Sequence, residues 1–239
     1  MELFSHPEIE RALAFRGGTA LHKLHLEPAR YSEDLDFVQV HQEPLGQTID
    51  AIRESLSPWL GESVSYEQKH ARFTLYYEVD SEAEYAPPIR LKVEINTREH
   101  FTVDGFEWER LEVDSPWFDG EAEIRTYGLE EMLGTKLRAL YQRDKGRDLF
   151  DLWYTLETVE PDPGCAVDIC RQYLDHGDNS ISRAEFEQNL HDKRRNKGFR
   201  SDVGSLLAPD VDWAFDDAME VVLSEFIAEF PGNPWDGGE

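Results

Sequence analysis

The stretch Arg30–Val40, RYSEDLDFVQV, decides how the chain is read. Its second half, DFVQV, has the apolar and β-branched texture of a strand, yet Glu33, Asp34 and Asp36 crowd the entrance. Alternate side chains of a strand share a face, and two residues advance about 6.6 Å. Asp34 and Asp36 therefore point one way, while Leu35 and Phe37 point into a core; Glu33 is read as solvated. Two carboxylates on one face repel unless a cation lies between them. Hard oxygen ligands at this spacing suit Mg²⁺, which takes one or two carboxylates together with substrate phosphates. A solvated edge strand or a pair of helix caps would show the same acids, so the stretch alone leaves both readings open.

Immediately upstream, AFRGGTALHKLHLEP reads as a short strand, a Gly-Gly turn and a helix. Gly17 and Gly18 permit close backbone approach, Thr19 suits an N-cap, and Leu21 and Leu24 give the helix a buried side. Free N–H groups at such a turn can hold phosphate oxygens, although a plain capped turn would look alike. Downstream, IRLKVEIN places Leu91, Val93 and Ile95 on one face and Arg90, Lys92, Glu94 and Asn96 on the other. If this strand neighbours the first with its polar face on the same side, Glu94 becomes a third carboxylate. The alternative is a surface ion pair with Lys92 or Arg90. Three acids holding two metal ions can clamp the attacking and leaving oxygens of a phosphoryl or nucleotidyl transfer.

The texture changes near residue 120. DFVQV, ARFTLYYEV, IRLKVEIN and FEWERLEV are strand-like, whereas Leu129, Met132, Leu133, Leu137 and Leu140 share one helix face. Leu149, Leu152, Trp153 and Leu156 share another, and further helices are expected at about 165–175, 182–194 and 211–230. The fold class is therefore α+β: a mixed-sheet domain over 1–120, a break near SPWFDGEAE, and an all-helical domain over 121–239. Lys136 falls on the apolar side of its helix, where a buried ammonium needs an anionic partner unless it snorkels to the rim. Asp148 and Asp151 follow on one helix side, with Arg143, Lys145 and Arg147 just upstream. An ion-pair network is one reading of these charges, and a nucleotide contact is the other.

The bulk numbers narrow the function classes. The 239 residues carry 50 acids against 24 bases, a net charge of −26 that repels nucleic acid over most of the surface. Only seven of the bases are Lys, a balance that suits a salt-adapted cytoplasm. One basic run, HDKRRNKGFR, stands out: Lys193, Arg194, Arg195, Lys197 and Arg200 are the candidate RNA contacts, or simply a solvated helix end. Cys165 and Cys170 suggest free thiols rather than a metal pair, the N-terminus lacks signal-peptide layout, and no run is apolar enough to span a membrane. A cytoplasmic protein is expected.

Taken in order, FRGGTALHKL, RYSEDLDF, KVEIN and KLRALYQRDKGRDLFDLW resemble the nucleotidyltransferases of the AbiEii/AbiGii abortive-infection toxin group, over roughly residues 12–155. The resemblance implies a polymerase-β-like nucleotidyltransferase core followed by a helical domain that completes the nucleotide cleft. It assigns Gly17, Gly18 and Thr19 to the triphosphate, Asp34 and Asp36 to metal, and Glu94 to the third acid, where many relatives have Asp. Lys136 and Asp148 match the family's downstream motifs as catalytic residues, with Lys136 also on the nucleotide; Arg30 and Ser32 assist with phosphate or loop order. The implied cofactor is Mg²⁺, two ions, with Mn²⁺ as a substitute. The implied reaction joins a nucleotide from a nucleoside triphosphate to an acceptor hydroxyl, a tRNA 3′ end being one candidate. A cognate antitoxin encoded nearby is the implied protein partner. Two other classes stay open at this point: a non-catalytic Mg-nucleotide-binding partner, and a metal-dependent nuclease. The nuclease is disfavoured because Lys92 precedes Glu94 rather than following it, and because such an enzyme has no use for the Gly-Gly-Thr turn.

Overall fold

A computed structural model describes residues 1–32, 34–80, 88–116 and 118–238, and it divides into two compact units. Glu33, the acid read as solvated, and Trp117 in the expected break lie outside the described residues. The first unit comprises Met1–His25 and Ser32–Tyr127, the second Leu26–Tyr31 and Gly128–Glu239.

The first unit is a seven-stranded mixed sheet. Its strands are β1 (Leu13–Arg16), β2 (Asp34–Gln39), β3 (Val64–Lys69), β4 (Arg72–Val79), β5 (Ile89–Asn96), β6 (Phe106–Asp114) and β7 (Asp119–Tyr127), in the order β3-β4-β5-β2-β1-β7-β6. β2 runs parallel to β5 and β1 parallel to β7; the other pairs are antiparallel. The short β1 is central, and Leu13, Ala14 and Phe15 are buried, as a strand covered on both faces requires. Phe37, Val38, Leu75, Tyr77, Val93 and Ile95 continue that core, while Leu35 and Leu91, expected inward as well, are half-buried near the starts of their strands. Helix α1 (Pro7–Ala12) starts where the His6 ring accepts the Glu8 N–H and Pro7 supplies its fixed φ. Helix α3 (Gly46–Leu60) and the strands β3 and β7 were not anticipated from sequence. β7, DGEAEIRTY, alternates charged exposed residues with a buried set confined to its end, Ile124, Thr126 and Tyr127, which masks its strand character.

The second unit contains α4 (Leu129–Gln142), α5 (Gly146–Thr158), α6 (Pro163–His176), α7 (Arg183–Arg194), α8 (Lys197–Ser201) and α9 (Phe215–Glu225). Leu133, Leu137, Leu140, Leu149 and Leu152 form one core with Phe186, Leu190, Met219, Val222 and Phe226. These are the helix faces that the 3.6-residue spacing marks. α4 and α6 close over Gly134, where an added Cβ would lie 2.7 Å from the Ile169 methyl. Ser182 and Glu185 form a reciprocal capping box at the start of α7. The segment Leu26–Tyr31 is tied in by backbone bonds, Tyr31 N–H to Leu206 O at 2.8 Å and Ala208 N–H to Ala29 O at 2.9 Å. Ala29 also packs with Phe150 and Val203.

Candidate active site

The parallel register of β2 and β5 sets Asp34 opposite Lys92 and Asp36 opposite Glu94. Four charged side chains thus share one face, and the condition under which Glu94 joins the two aspartates is met. β1 lies on the other side of β2, with Arg16 opposite Asp36, and delivers the Gly-Gly turn directly beside that carboxylate. Gly17 adopts φ +78°, and a Cβ there would stand 2.5 Å from Asp36 Oδ2. Only glycine meets both the angle and the space.

Thr19 departs from its expected role. Helix α2 (Gly17–Ala20) begins three residues earlier, with Arg16 in extended backbone as its N-cap. The Thr19 hydroxyl instead donates to the Asp34 carbonyl at 2.6 Å, tying the turn to the acid-bearing strand. The helix then widens into a π turn over Leu21–His25, a rare form that is frequent at functional sites.

The electrostatics of this face are uneven. Burial pushes the Asp36 carboxyl up, and the neighbouring Glu94 and Asp34 carboxylates push it further. Arg16 lies near enough to counter this only in part, and it pairs with Glu99 at 2.8 Å. Lys92 Nζ sits 2.8 Å from Glu94 Oε2 and 3.4 Å from Asp34 Oδ2. Burial works against the Lys92 charge, but the bond to Glu94 and the surrounding carboxylates outweigh it and raise its pKa. Arg72 reaches the other Glu94 oxygen, Oε1, at 3.2 Å from β4. Among the described residues no three His, Cys, Asp or Glu side chains converge as a ready-made metal cage. The residues nonetheless fit a Mg²⁺ ion: Asp34 and Asp36 offer hard oxygens on one face. The raised proton affinity of Asp36 marks a buried carboxylate short of positive charge. Ser32 is exposed just ahead of these acids.

The second unit holds a buried ion cluster. The Arg30 guanidinium binds Asp151 side-on, Nε to Oδ1 at 2.6 Å and Nη2 to Oδ2 at 2.8 Å, and donates to the Tyr31 carbonyl at 3.1 Å. Its fork is thus filled by protein, not held open for phosphate. Lys136, buried as its position in the apolar face requires, lies 2.6 Å from Asp151 Oδ2 and 3.2 Å from Asp148 Oδ1. Arg143 completes the cluster with bonds of 2.7 and 2.8 Å to Asp148. Of the two sequence readings of Lys136, the structure has the partnered lysine, held by Asp148 and Asp151, and not the snorkelling one. Asp148 and Asp151, spaced i, i+3 on one helix side, thus form the ion-pair network that was one reading of these charges.

The basic run is not one patch. Lys193 is buried, and its ammonium donates to the carbonyls of Leu140, Tyr141 and Arg143 where α4 ends. Arg194 pairs with Asp216 and Glu220, and Arg200 with the same Asp216. Arg195 and Lys197 remain as exposed cations.

Comparison with known proteins follows the same lines. Residues 1–221 match the family model described as Nucleotidyl transferase AbiEii toxin, Type IV TA system. The fold is similar to that of MenT4, a nucleotidyltransferase toxin of Mycobacterium tuberculosis H37Rv, with 15% identity and a TM-score of 0.59 over 96% of this chain and 82% of that one. It is also similar to a structure from H. pylori assigned as a nucleotidyltransferase, with 16% identity and a TM-score of 0.51 over 94% and 87% of the two chains. No curated protein matches the chain at a significant level. Among the described residues no helix is long and apolar enough to cross a membrane.

Proposed function

The chain belongs to the AbiEii family of nucleotidyltransferase toxins of toxin–antitoxin systems, and from that premise we propose that it is a Mg²⁺-dependent enzyme whose acceptor is a tRNA 3′ end. An acceptor hydroxyl oxygen gives up its proton to solvent and bonds to the α-phosphorus of a nucleoside triphosphate, the bond to the bridging α–β oxygen breaks, and pyrophosphate leaves with its electron pair. The observation that carries the reading is the β2–β5 register, which aligns Asp34, Asp36 and Glu94 on one face beside the Gly17 turn.

Within this proposal the N–H groups of Gly17 and Gly18 bind triphosphate oxygens, and Thr19 fixes the turn to β2 through the Asp34 carbonyl. Asp34 and Asp36 hold the Mg²⁺, with Glu94 as the third acid behind them. When bound, that ion supplies neutralisation of phosphate charge and a lower pKa for the attacking hydroxyl. Ser32, exposed ahead of the acids, orders the loop. In the helical unit Lys136 is proposed as the enzyme's catalytic lysine, with Asp148 and Asp151 setting its direction and Arg30 holding Asp151. Arg195 and Lys197 are the proposed tRNA contacts, and the enzyme works in the cytoplasm under control of a cognate antitoxin.

The test is incubation with Mg²⁺, each labelled nucleoside triphosphate and total tRNA, comparing the wild type with Asp36→Ala. Label entering tRNA with the wild type alone supports the proposal. Equal labelling by both, or tight nucleotide binding without transfer, overturns it.

A further inference from the structure

Resting on the reading of the β2–β5 face as the metal site, we propose that Lys92 is a fixed cation standing where a second metal ion would otherwise bind. The site then takes one divalent ion, through Asp34 and Asp36. The geometry behind this is specific. Lys92 lies directly opposite Asp34 in the parallel register, so strand pairing alone brings its ammonium to the acids. Its Nζ contacts Glu94 at 2.8 Å and Asp34 at 3.4 Å, and its side chain is only 27% exposed. Arg90, the other cation on the polar face of β5, is drawn away and packs over the Tyr76 ring at 4.2 Å. Lys92 is therefore the β5 cation aimed at the acids.

Glu94 meets a cation at each oxygen. Arg72 donates to Oε1, and Lys92 faces Oε2 as an ion pair without a hydrogen bond, so a second metal would compete with a cation at each oxygen. Three acids against two cations leave this face one net negative charge, so the two cations already offset most of the acid charge that would draw a second ion. An ammonium also suits the role chemically. It is a compact charge with three donors, able to keep Glu94 and Asp34 while presenting a hydrogen to a phosphate oxygen. Lys92 is thus a catalytic residue of the transfer reaction: it stabilises developing phosphate charge with a cation that never has to be recruited.

The experiment counts Mn²⁺ bound per chain by electron paramagnetic resonance, with a non-hydrolysable nucleoside triphosphate present, in the wild type, Lys92→Met and Asp36→Ala. Melting curves confirm that each variant is folded. The expected result is one Mn²⁺ in the wild type, two in Lys92→Met, and a loss of ion binding in Asp36→Ala. In a transfer assay Lys92→Met is expected to lower kcat by about 100-fold while KM for the nucleotide changes only a few-fold. Two ions in both wild type and Lys92→Met would overturn the role of Lys92 and leave the metal site standing. One ion in both would also overturn it, because Lys92 would then exclude nothing. No Mn²⁺ in any chain would overturn the metal site and this inference together.

Discussion

Arg30 and Asp151 stand 121 positions apart in the chain and meet as a side-on pair, with the guanidinium side chain 1% exposed and the carboxylate 0%. Burial alone would lower the affinity of Arg30 for its proton, yet the Asp151 charge and its bonds raise it. Arg30→Met takes the side-on partner from a buried carboxylate and leaves it to Lys136. It is expected to cost up to about 3–5 kcal/mol, measured by urea unfolding. Replacing Arg30 and Asp151 together with apolar residues should cost less than either single change. A double variant as weak as the sum of the singles would show that the pair is not the unit of stability.

Gly17→Ala should be damaging for two separate reasons, the left-handed φ and the clash with Asp36 Oδ2. The backbone part alone is about 1–2 kcal/mol. A lowered melting temperature together with lost nucleotide binding is expected. Gly46→Ala, which meets nothing within 4 Å and has no positive φ, serves as the silent control.

Cys170 gives a pH signature. Burial pushes its thiol from 9.0 up to about 12, so the folded chain keeps the proton in a range where the unfolded chain has released it. The folded state then binds more protons, and stability must fall as pH rises from about 9 toward 12. Denaturant midpoints across that range should decline in the wild type and decline less in Cys170→Ala. At pH 8 an alkylating reagent should label half-buried Cys165 in the native chain, and Cys170 only after unfolding.

The basic run offers a separation of structure from binding. Lys193→Met removes the donor that serves three carbonyls at the end of α4 and should destabilise the fold. Charge reversal at Arg195 and Lys197 should change stability by less than about 0.5 kcal/mol. The same reversal should weaken tRNA binding and flatten its dependence on salt. Binding that is indifferent to both would remove these two residues from the interface.

A net charge of −26 implies self-repulsion that salt screens. Melting temperature should rise from low to molar salt, and thermal melts at a series of concentrations measure it directly. A flat profile would show that the acids are already balanced by the ion pairs that the structure contains.

Much of this was legible because it depends on local pattern. The alternation in β2 and β5 set Asp34, Asp36 and Glu94 on polar faces, and the misplaced Lys136 announced a buried partner before that partner was known. What stayed hidden depends on register and distant pairing. The Lys92–Glu94 pair was open to the i, i+2 spacing on β5, but that Arg72 reaches the same carboxylate follows from β4 flanking β5, an order no spacing rule gives. Thr19 looked like an N-cap because Ser and Thr are good ones; the left-handed Gly17 starts the helix early, and the Thr19 hydroxyl bonds the Asp34 carbonyl instead. Lys193 looked like part of a charge run because a lysine that caps another helix carries no mark of it in its neighbours.

The six residues Leu26–Tyr31 run between the Gly17–Gly18 turn and β2, yet they belong to the helical unit. Evolution cannot therefore trade that unit as a cassette joined at a single seam after Tyr127. Any replacement must also bring its own match for Arg30, or leave a guanidinium buried without its acid. Recombination in this lineage is expected to preserve the two stretches as a linked pair, and a chimera designed by one crossover should fail where one that also transplants Leu26–Tyr31 folds.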